Sequence, residues 1–368
     1  MINPTFWRGK RVFVTGHTGF KGSWLCIWLH HLGADVTGYA LPPPSDPSLF
    51  DLGRVQDLIN HCEGDVRDLV ALERAMADAN PEIVIHMAAQ SLVRYSYDNP
   101  VETFSTNVMG TVHVLDAVRR LPGVRAVVVV TSDKCYFNEE WVWGYREDSR
   151  LGGHDPYSGS KGAAELVVTS YQNSFLDKSR NAGLAAVGSG RAGNVIGGGD
   201  WAADRLVPDI VRSLLDGKPT MVRNPQATRP WQHVLEPLHG YLMLAERLYL
   251  DRHDFASSWN FGPPQESERT VGWVIDRLYQ LWGAPYAWQR DTHRGPPEAT
   301  FLKLDASKAH AYLDWWPKLD LPTTLQWIVD WFRQYQAGSD VREASLNDIR
   351  RFMQIETGHR RAGGSGTS

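Results

Sequence analysis

The chain has 368 residues, 42% of them apolar and 22% charged, with a formal net charge of -4. This length calls for one large domain or two interleaved ones, and this charge leaves no global basic field for nucleic acid. Three cysteines give neither a disulfide framework nor metal-ligand spacing, no apolar run is long enough for a membrane span, and no signal segment precedes the first strand, so the chain reads as a cytoplasmic protein without a metal.

In chain order, "KRVFVTG" at 10–16 is a short apolar strand running into a glycine turn. "WLCIWLHHLG" follows as a helix that Gly33 closes. "DVTGYA" at 35–40 reads as a second strand, "PEIVIHMAA" at 81–89 as another and "VRAVVVVTS" at 124–132 as the strongest. Helical segments lie around 68–79 and 101–120. Strands alternating with helices predict an α/β fold, a Rossmann-type doubly wound parallel sheet. After about residue 190 proline and glycine become denser, as in "GNVIGGGDW" and "VRNPQATRPW". The expected division is a dinucleotide-binding domain over 1–190, to which some later segments return, and a smaller substrate lobe over 191–335. Residues 336–368 read as a C-terminal extension whose tail, "RRAGGSGTS", is polar and reads as disordered.

"TGHTGFKG" sets Gly16, Gly19 and Gly22 between a strand and a helix, with Thr18 and Phe20 lining the same loop. Glycines there let backbone approach a pyrophosphate, and the helix N-terminus supplies N–H donors. A tight structural turn is the alternative; the strand before and the helix after favour a dinucleotide. The acidic residue expected about 20 positions on, for the ribose diol, is not evident. Tyr39 ends the second strand, and Asp46 comes only after three prolines. NAD and NADP therefore both stay open at this loop. "GDVRD" at 64–68 offers Asp65 and Val66 as adenine neighbours, or else a plain turn before a helix.

Four valines deliver "TSDKCY" to a strand end, where open parallel sheets bind their ligands. That places Ser132, Asp133 and Lys134 together. In "DPYSGSKGAAEL" Tyr157 and Lys161 are spaced i, i+4 and share a helix face. A lysine ammonium beside a phenol favours the phenolate, which can take a hydroxyl proton while a hydride leaves the same carbon. A surface Tyr/Lys pair is the alternative, and the dinucleotide loop upstream weighs against it.

These motifs resemble the extended short-chain dehydrogenase/reductases that act on nucleotide sugars, over nearly the whole chain to about residue 335. The long stretches "GYREDSRLGGHDPYSGSK", "RAGNVIGGGDWAADRLVPD" and "RNPQATRPWQHVLEPLHGY" are similar to the 4,6-dehydratase branch that takes CDP-glucose. The resemblance implies a Rossmann domain with a small sugar-nucleotide lobe, a homodimer or dimer of dimers, and NAD as cofactor. It implies that Ala88, Ala89 and Gln90 in "MAAQS", together with Asn107, line the cofactor site. It further implies that Asn194, Arg205, Arg229 and His233 face the diphosphate sugar. Read as residues, any one of these arginines also suits a surface, and His233 equally suits a core. Most relatives carry Asp-Glu where this chain has Asp133-Lys134. Loss of water across C5–C6 needs a base and an acid, and this pair is the candidate. A salt bridge from Lys134 to Asp133 is the structural alternative. A nucleotide-sugar epimerase would need no such pair, and a non-catalytic dinucleotide sensor would need none of Ser132, Tyr157 and Lys161.

Overall fold

The computed structural model describes residues 2–176, 184–285, 288–291 and 301–356; the "RRAGGSGTS" tail lies outside them. Seven strands form the main sheet: β1 (Arg11–Thr15), β2 (Asp35–Ala40), β3 (Asn60–Glu63), β4 (Ile83–His86), β5 (Ala126–Val130), β6 (Ala186–Arg191) and β7 (Ser258–Asn260). Their order is β7-β6-β5-β4-β1-β2-β3, and every pairing is parallel. The strand order reverses between β1 and β4, the switch point where such sheets bind ligands.

The longer helices are α1 (Phe20–His31), α2 (Leu69–Ala79), α3 (Gly110–Arg120), α4 (Pro156–Ser174), α5 (Leu206–Asp216), α6 (Leu235–Leu250), α7 (Val271–Trp282), α8 (Leu321–Gln336) and α9 (Val341–Gln354). They cover both faces of the sheet. Side chains alternate along β5: Val128 and Val130 pack into one core with α1 and α6, Val127 and Val129 into the other with α3 and α4. A strand buried on both faces needs an apolar residue at every position, which is why the valine run reads so clearly.

Three strands went unread in the sequence, each for a physical reason. Edge strand β3 is Asn-His-Cys-Glu, mostly exposed and without an apolar run. Strand β6 carries glycines because α6 presses on it: a Cβ on Gly190 would fall 2.6 Å from the Tyr241 ring. Strand β7 is three residues long and joins the sheet from far along the chain.

The expected C-terminal extension is in part a docked helix. Helix α9 sets Phe352 edge-on to Trp28 of α1, with ring centroids 5.7 Å apart. Helix α1 is thereby enclosed between the sheet and α9, and Trp24 through Leu29 are all buried. The lobe is built from short pieces. Val195–Ile196 pairs in parallel with Gln232–His233, and Thr228–Pro230 pairs antiparallel with Glu268–Thr270.

Candidate active site

Strand β1 passes into α1 through the glycine loop. Gly16 has φ +76°, and a Cβ there would stand 2.6 Å from the Ala88 nitrogen. At Gly22 a Cβ would meet the Gly16 carbonyl oxygen at 2.2 Å, so α1 can approach the loop only without one. Gly19 meets nothing closer than 3.5 Å and caps α1 with no side-chain partner on its first turn. The result is a backbone cradle at a helix N-terminus, which fits the diphosphate of a dinucleotide. Thr18 fastens the loop to the end of β2 by donating to the Leu41 carbonyl (2.8 Å). Phe20 starts α1 with its ring against Gly197.

The loop's neighbours are joined to it. Tyr39, which stands where an acidic residue was sought, donates to the Asp65 carbonyl (3.2 Å). The Asp65 carboxylate is itself engaged by the Arg67 guanidinium and backbone N–H, which hold its pKa down despite partial burial. Val66 is buried against Gly110. The Ala88 N–H is held by Thr15 Oγ1 (3.1 Å), and Ala89 follows half-buried. Asn107 clamps the next residue: its Oδ1 accepts from the Gln90 N–H (2.8 Å) and its Nδ2 donates to the Gln90 carbonyl (3.0 Å). The same Nδ2 reaches Ser160 of α4 (2.8 Å). Asn107 achieves this from a single π turn, Ser105–Met109, a distortion typical of functional sites.

Beyond β5 the chain turns once, so Ser132, Asp133 and Lys134 leave the sheet together. Asp133 is buried at 2% exposure. Ser132 donates to its Oδ1 (2.9 Å), and Asn194 donates to its Oδ2 (3.2 Å). Lys134 is half-buried and makes no side-chain hydrogen bond or ion pair among the described residues, so the salt bridge to Asp133 is not formed. Helix α4 brings Tyr157 to the same place, buried within electrostatic reach of Asp133.

Tyr157 and Lys161 both lie on the buried face of α4. Burial pushes Tyr157 up to about 12, against a downward pull from neighbouring Ser132 and from Arg205. Lys161 points instead at the Val130 carbonyl, 3.5 Å away, and burial brings it down to about 8. Desolvation of a phenol at 8% exposure outweighs a lysine turned toward backbone.

The lobe residues separate. Asn194 reaches Asp133 from the left-handed region, φ +49°. Arg205 is braced by Asp200 (3.2 Å) and Ser91 (2.8 Å) at the start of α5, within electrostatic reach of Tyr157. Arg229 lies on the Thr228–Pro230 strand and donates to the Thr228 carbonyl. His233 does not face an open site. It is buried between Trp24 and Trp327, its Nδ1 accepts from the Leu235 N–H, and burial pushes it to about 3.

Three features escaped the sequence. Lys21, inside the glycine loop's own "GFKG", lies over the Tyr241 ring and feels Lys161, Arg205 and Asp133; burial and the cations lower it to about 7. A charged residue directly before the buried run Gly22–Leu29 was the available signal. Tyr241 is buried in the same region. Behind the site, Glu165 of α4 accepts from Thr131, Ser189, Arg191 and Ser258, locking α4 to the strand ends. No spacing announces that network, because its members come from four separate stretches of chain.

A family model described as GDP-mannose 4,6 dehydratase matches residues 13–327. A CDP-glucose 4,6-dehydratase from Salmonella typhimurium is 52% identical over 361 residues, covering 97% of this chain and 100% of that protein. The crystal structure of DesIV, a dTDP-glucose 4,6-dehydratase from Streptomyces venezuelae with NAD and TYD bound, superposes with a TM-score of 0.75 at 23% identity, covering 90% of this chain and 99% of that one. MoeE5 in complex with UDP-glucuronic acid and NAD superposes with a TM-score of 0.73 at 25% identity, covering 89% and 100%.

Proposed function

The chain belongs to the GDP-mannose 4,6 dehydratase family, and on that premise we propose that it converts CDP-D-glucose to CDP-4-keto-6-deoxy-D-glucose with NAD as cofactor. The observation that carries this reading is Asp133, a buried carboxylate beside Ser132 and Tyr157. An epimerase working only at C4 has no use for a second acid there. The relative that is 52% identical supports the CDP-glucose assignment.

Bound in the glycine cradle, NAD supplies a hydride acceptor for C4 and later the donor for C6. Gly16, Gly19 and Gly22 would hold its diphosphate, Asn107, Gln90 and the Ala88–Ala89 backbone would line the cofactor site, and Asp65–Val66 would neighbour its adenine. Tyr157 removes the C4 hydroxyl proton. The 4-ketone acidifies the C5 proton, and the Asp133/Lys134 pair handles that proton and the departing C6 hydroxyl. Asn194, Arg205 and Arg229 are the polar groups this reading gives to the nucleotide diphosphate sugar. A redox-neutral cycle gives the nicotinamide no reason to leave between turnovers, which favours NAD over NADP.

The reading includes a cytoplasmic homodimer. Its support is an exposed apolar face on two packed segments: Val101, Phe104 and Met109 beside Leu166 of α4. Among the described residues no helix is long and apolar enough to cross a membrane.

The deciding experiment supplies CDP-glucose deuterated at C4 in ordinary water. The proposed reaction moves the deuterium to C6 of the same sugar, read by NMR. Deuterium kept at C4 of an epimerised sugar, or released into free cofactor, overturns it.

A further inference from the structure

We propose that Lys21 biases the bound cofactor toward its reduced form, because its ammonium disfavours the positively charged oxidised nicotinamide and leaves the neutral reduced one unaffected. This rests on the cofactor reading above and deepens it by naming a residue that sets the potential of NAD in the cleft.

Lys21 belongs to the cradle by sequence and to the catalytic end by reach. It lies between Gly19 and Gly22 in the first turn of α1. Its ammonium leaves the loop and stands 5.8 Å from the centre of the Tyr241 ring. That ring lies on β6, where a Cβ on Gly190 would meet it at 2.6 Å. Gly190 is paired with Val130, the last residue of β5, whose carbonyl is 3.5 Å from the Lys161 ammonium. Just beyond, Asp133 fills the space that Gly193 leaves. Lys21 thus crosses from the diphosphate cradle toward the strand ends that carry Lys161 and Asp133. A dinucleotide held by its diphosphate at the cradle, with its ring delivered to the carbon at Tyr157, makes the same crossing.

Nothing in the fold neutralises this charge. Among the described residues Lys21 makes no hydrogen bond and no ion pair. The Tyr241 hydroxyl is buried and likewise has no hydrogen-bond partner there. The charges that face Lys21 are Lys161 and Arg205, of like sign, and Asp133, of opposite sign. A cation in such a place is unfavourable for the folded chain, and no contact inside the protein offsets it. Its effect falls on what enters the cleft.

The two forms of the cofactor differ where that effect is felt. The oxidised ring is a cation. Taking up a hydride, the hydrogen of C4 with its bond pair, cancels the ring's charge while the hydroxyl proton goes to Tyr157. A fixed ammonium in a cleft of low dielectric repels the oxidised ring and not the neutral one. The diphosphate is the same in both forms, so attraction of Lys21 for phosphate cannot distinguish them. The bias favours uptake of the hydride from C4 and holds the reduced cofactor while water is lost.

The test compares NAD+, NADH and ADP-ribose by isothermal titration of the full-length enzyme, cleared of carried-over cofactor, at about pH 6. Burial and the two cations lower Lys21 to about 7, so its charge is present there. Lys21→Met and Lys21→Gln both remove the charge and keep an unbranched side chain. In either variant NAD+ should bind roughly 10-fold tighter or more, the scale of one partly buried charge acting on another. NADH and ADP-ribose should bind as in the wild type. A tenfold change in the ratio is about 30 mV in the potential of the bound two-electron couple. Lys21→Arg keeps the charge and should keep the wild-type ratio. A melting curve shows that each variant is folded. An unchanged ratio of NAD+ to NADH affinity in both neutral variants overturns the proposal. So does an equal loss of affinity for all three ligands, which would make Lys21 a diphosphate group. A wild type that binds none of the three would remove the cofactor reading itself, and the deuterium experiment judges the dehydratase reading separately.

Discussion

A Cβ on Gly193 would stand 1.8 Å from Asp133 Oδ2, so the Asp133 carboxylate lies in the space that glycine leaves open. Every other residue at 193 must displace Asp133 from Ser132 and Asn194. Gly193→Ala should therefore lower turnover by roughly 10²-fold, the range for a misplaced acid or base. A steady-state assay beside a melting curve checks this. Near-normal turnover would mean that Asp133 works from another position.

Tyr157→Phe removes the proton acceptor and keeps the ring. Turnover should fall by roughly 10²-fold or more, with CDP-glucose affinity largely kept. Equilibrium binding and single-turnover rates separate the two effects. Unchanged turnover would take Tyr157 out of the mechanism.

Lys134 has no side-chain partner among the described residues, so Lys134→Met should cost little stability. If it serves at C5, the variant should oxidise C4 and stall. Reduced cofactor would then accumulate without dehydrated product. Normal dehydration by the variant would return the C5 step to another group.

The Arg191–Glu165 pair is buried, at 2% and 0% side-chain exposure and 2.7 Å apart. Arg191→Met strands the Glu165 carboxylate and should destabilise by about 3–5 kcal/mol. Adding Glu165→Met should recover part of that loss, because no unpaired charge remains. Urea titrations of both variants test it; a double variant weaker than the single would mean that the other donors to Glu165 matter more than the arginine.

Glu236 gives a pH signature. Burial raises it to about 8, against the upward-opposing N–H bonds from Leu319 and Lys318 that pull it down. Its folded value lies above its unfolded one, so the native state keeps a proton that the unfolded chain has lost between about pH 4.5 and 8. Its contribution is fully present below that window and declines as pH rises through it, by about 1.4 kcal/mol per pH unit at most. Glu236→Gln keeps the acceptor and cannot ionise, so it should flatten this slope. A wild-type and variant pair with parallel stability curves from pH 5 to 8 would place the charge elsewhere.

The sequence by itself determined the scaffold and the chemistry-bearing motifs, since both are local. A strand buried on two faces must be apolar throughout, so Val127–Val130 declared β5. A loop passing under α1 must lack side chains, so Gly16 and Gly22 declared the cradle. Tyr157 and Lys161 lie on one helix, and their spacing sets them on one face. Tertiary structure decided which residues touch. Asn194 and Gly193 are some sixty positions from Asp133 and meet it only because β6 lies beside β5. The same packing closed His233 between two tryptophans and turned Lys161 toward backbone. Burial then set the charge states: it holds Tyr157 as a phenol and lowers Lys21, and burial is a property of the whole fold rather than of any spacing along the chain.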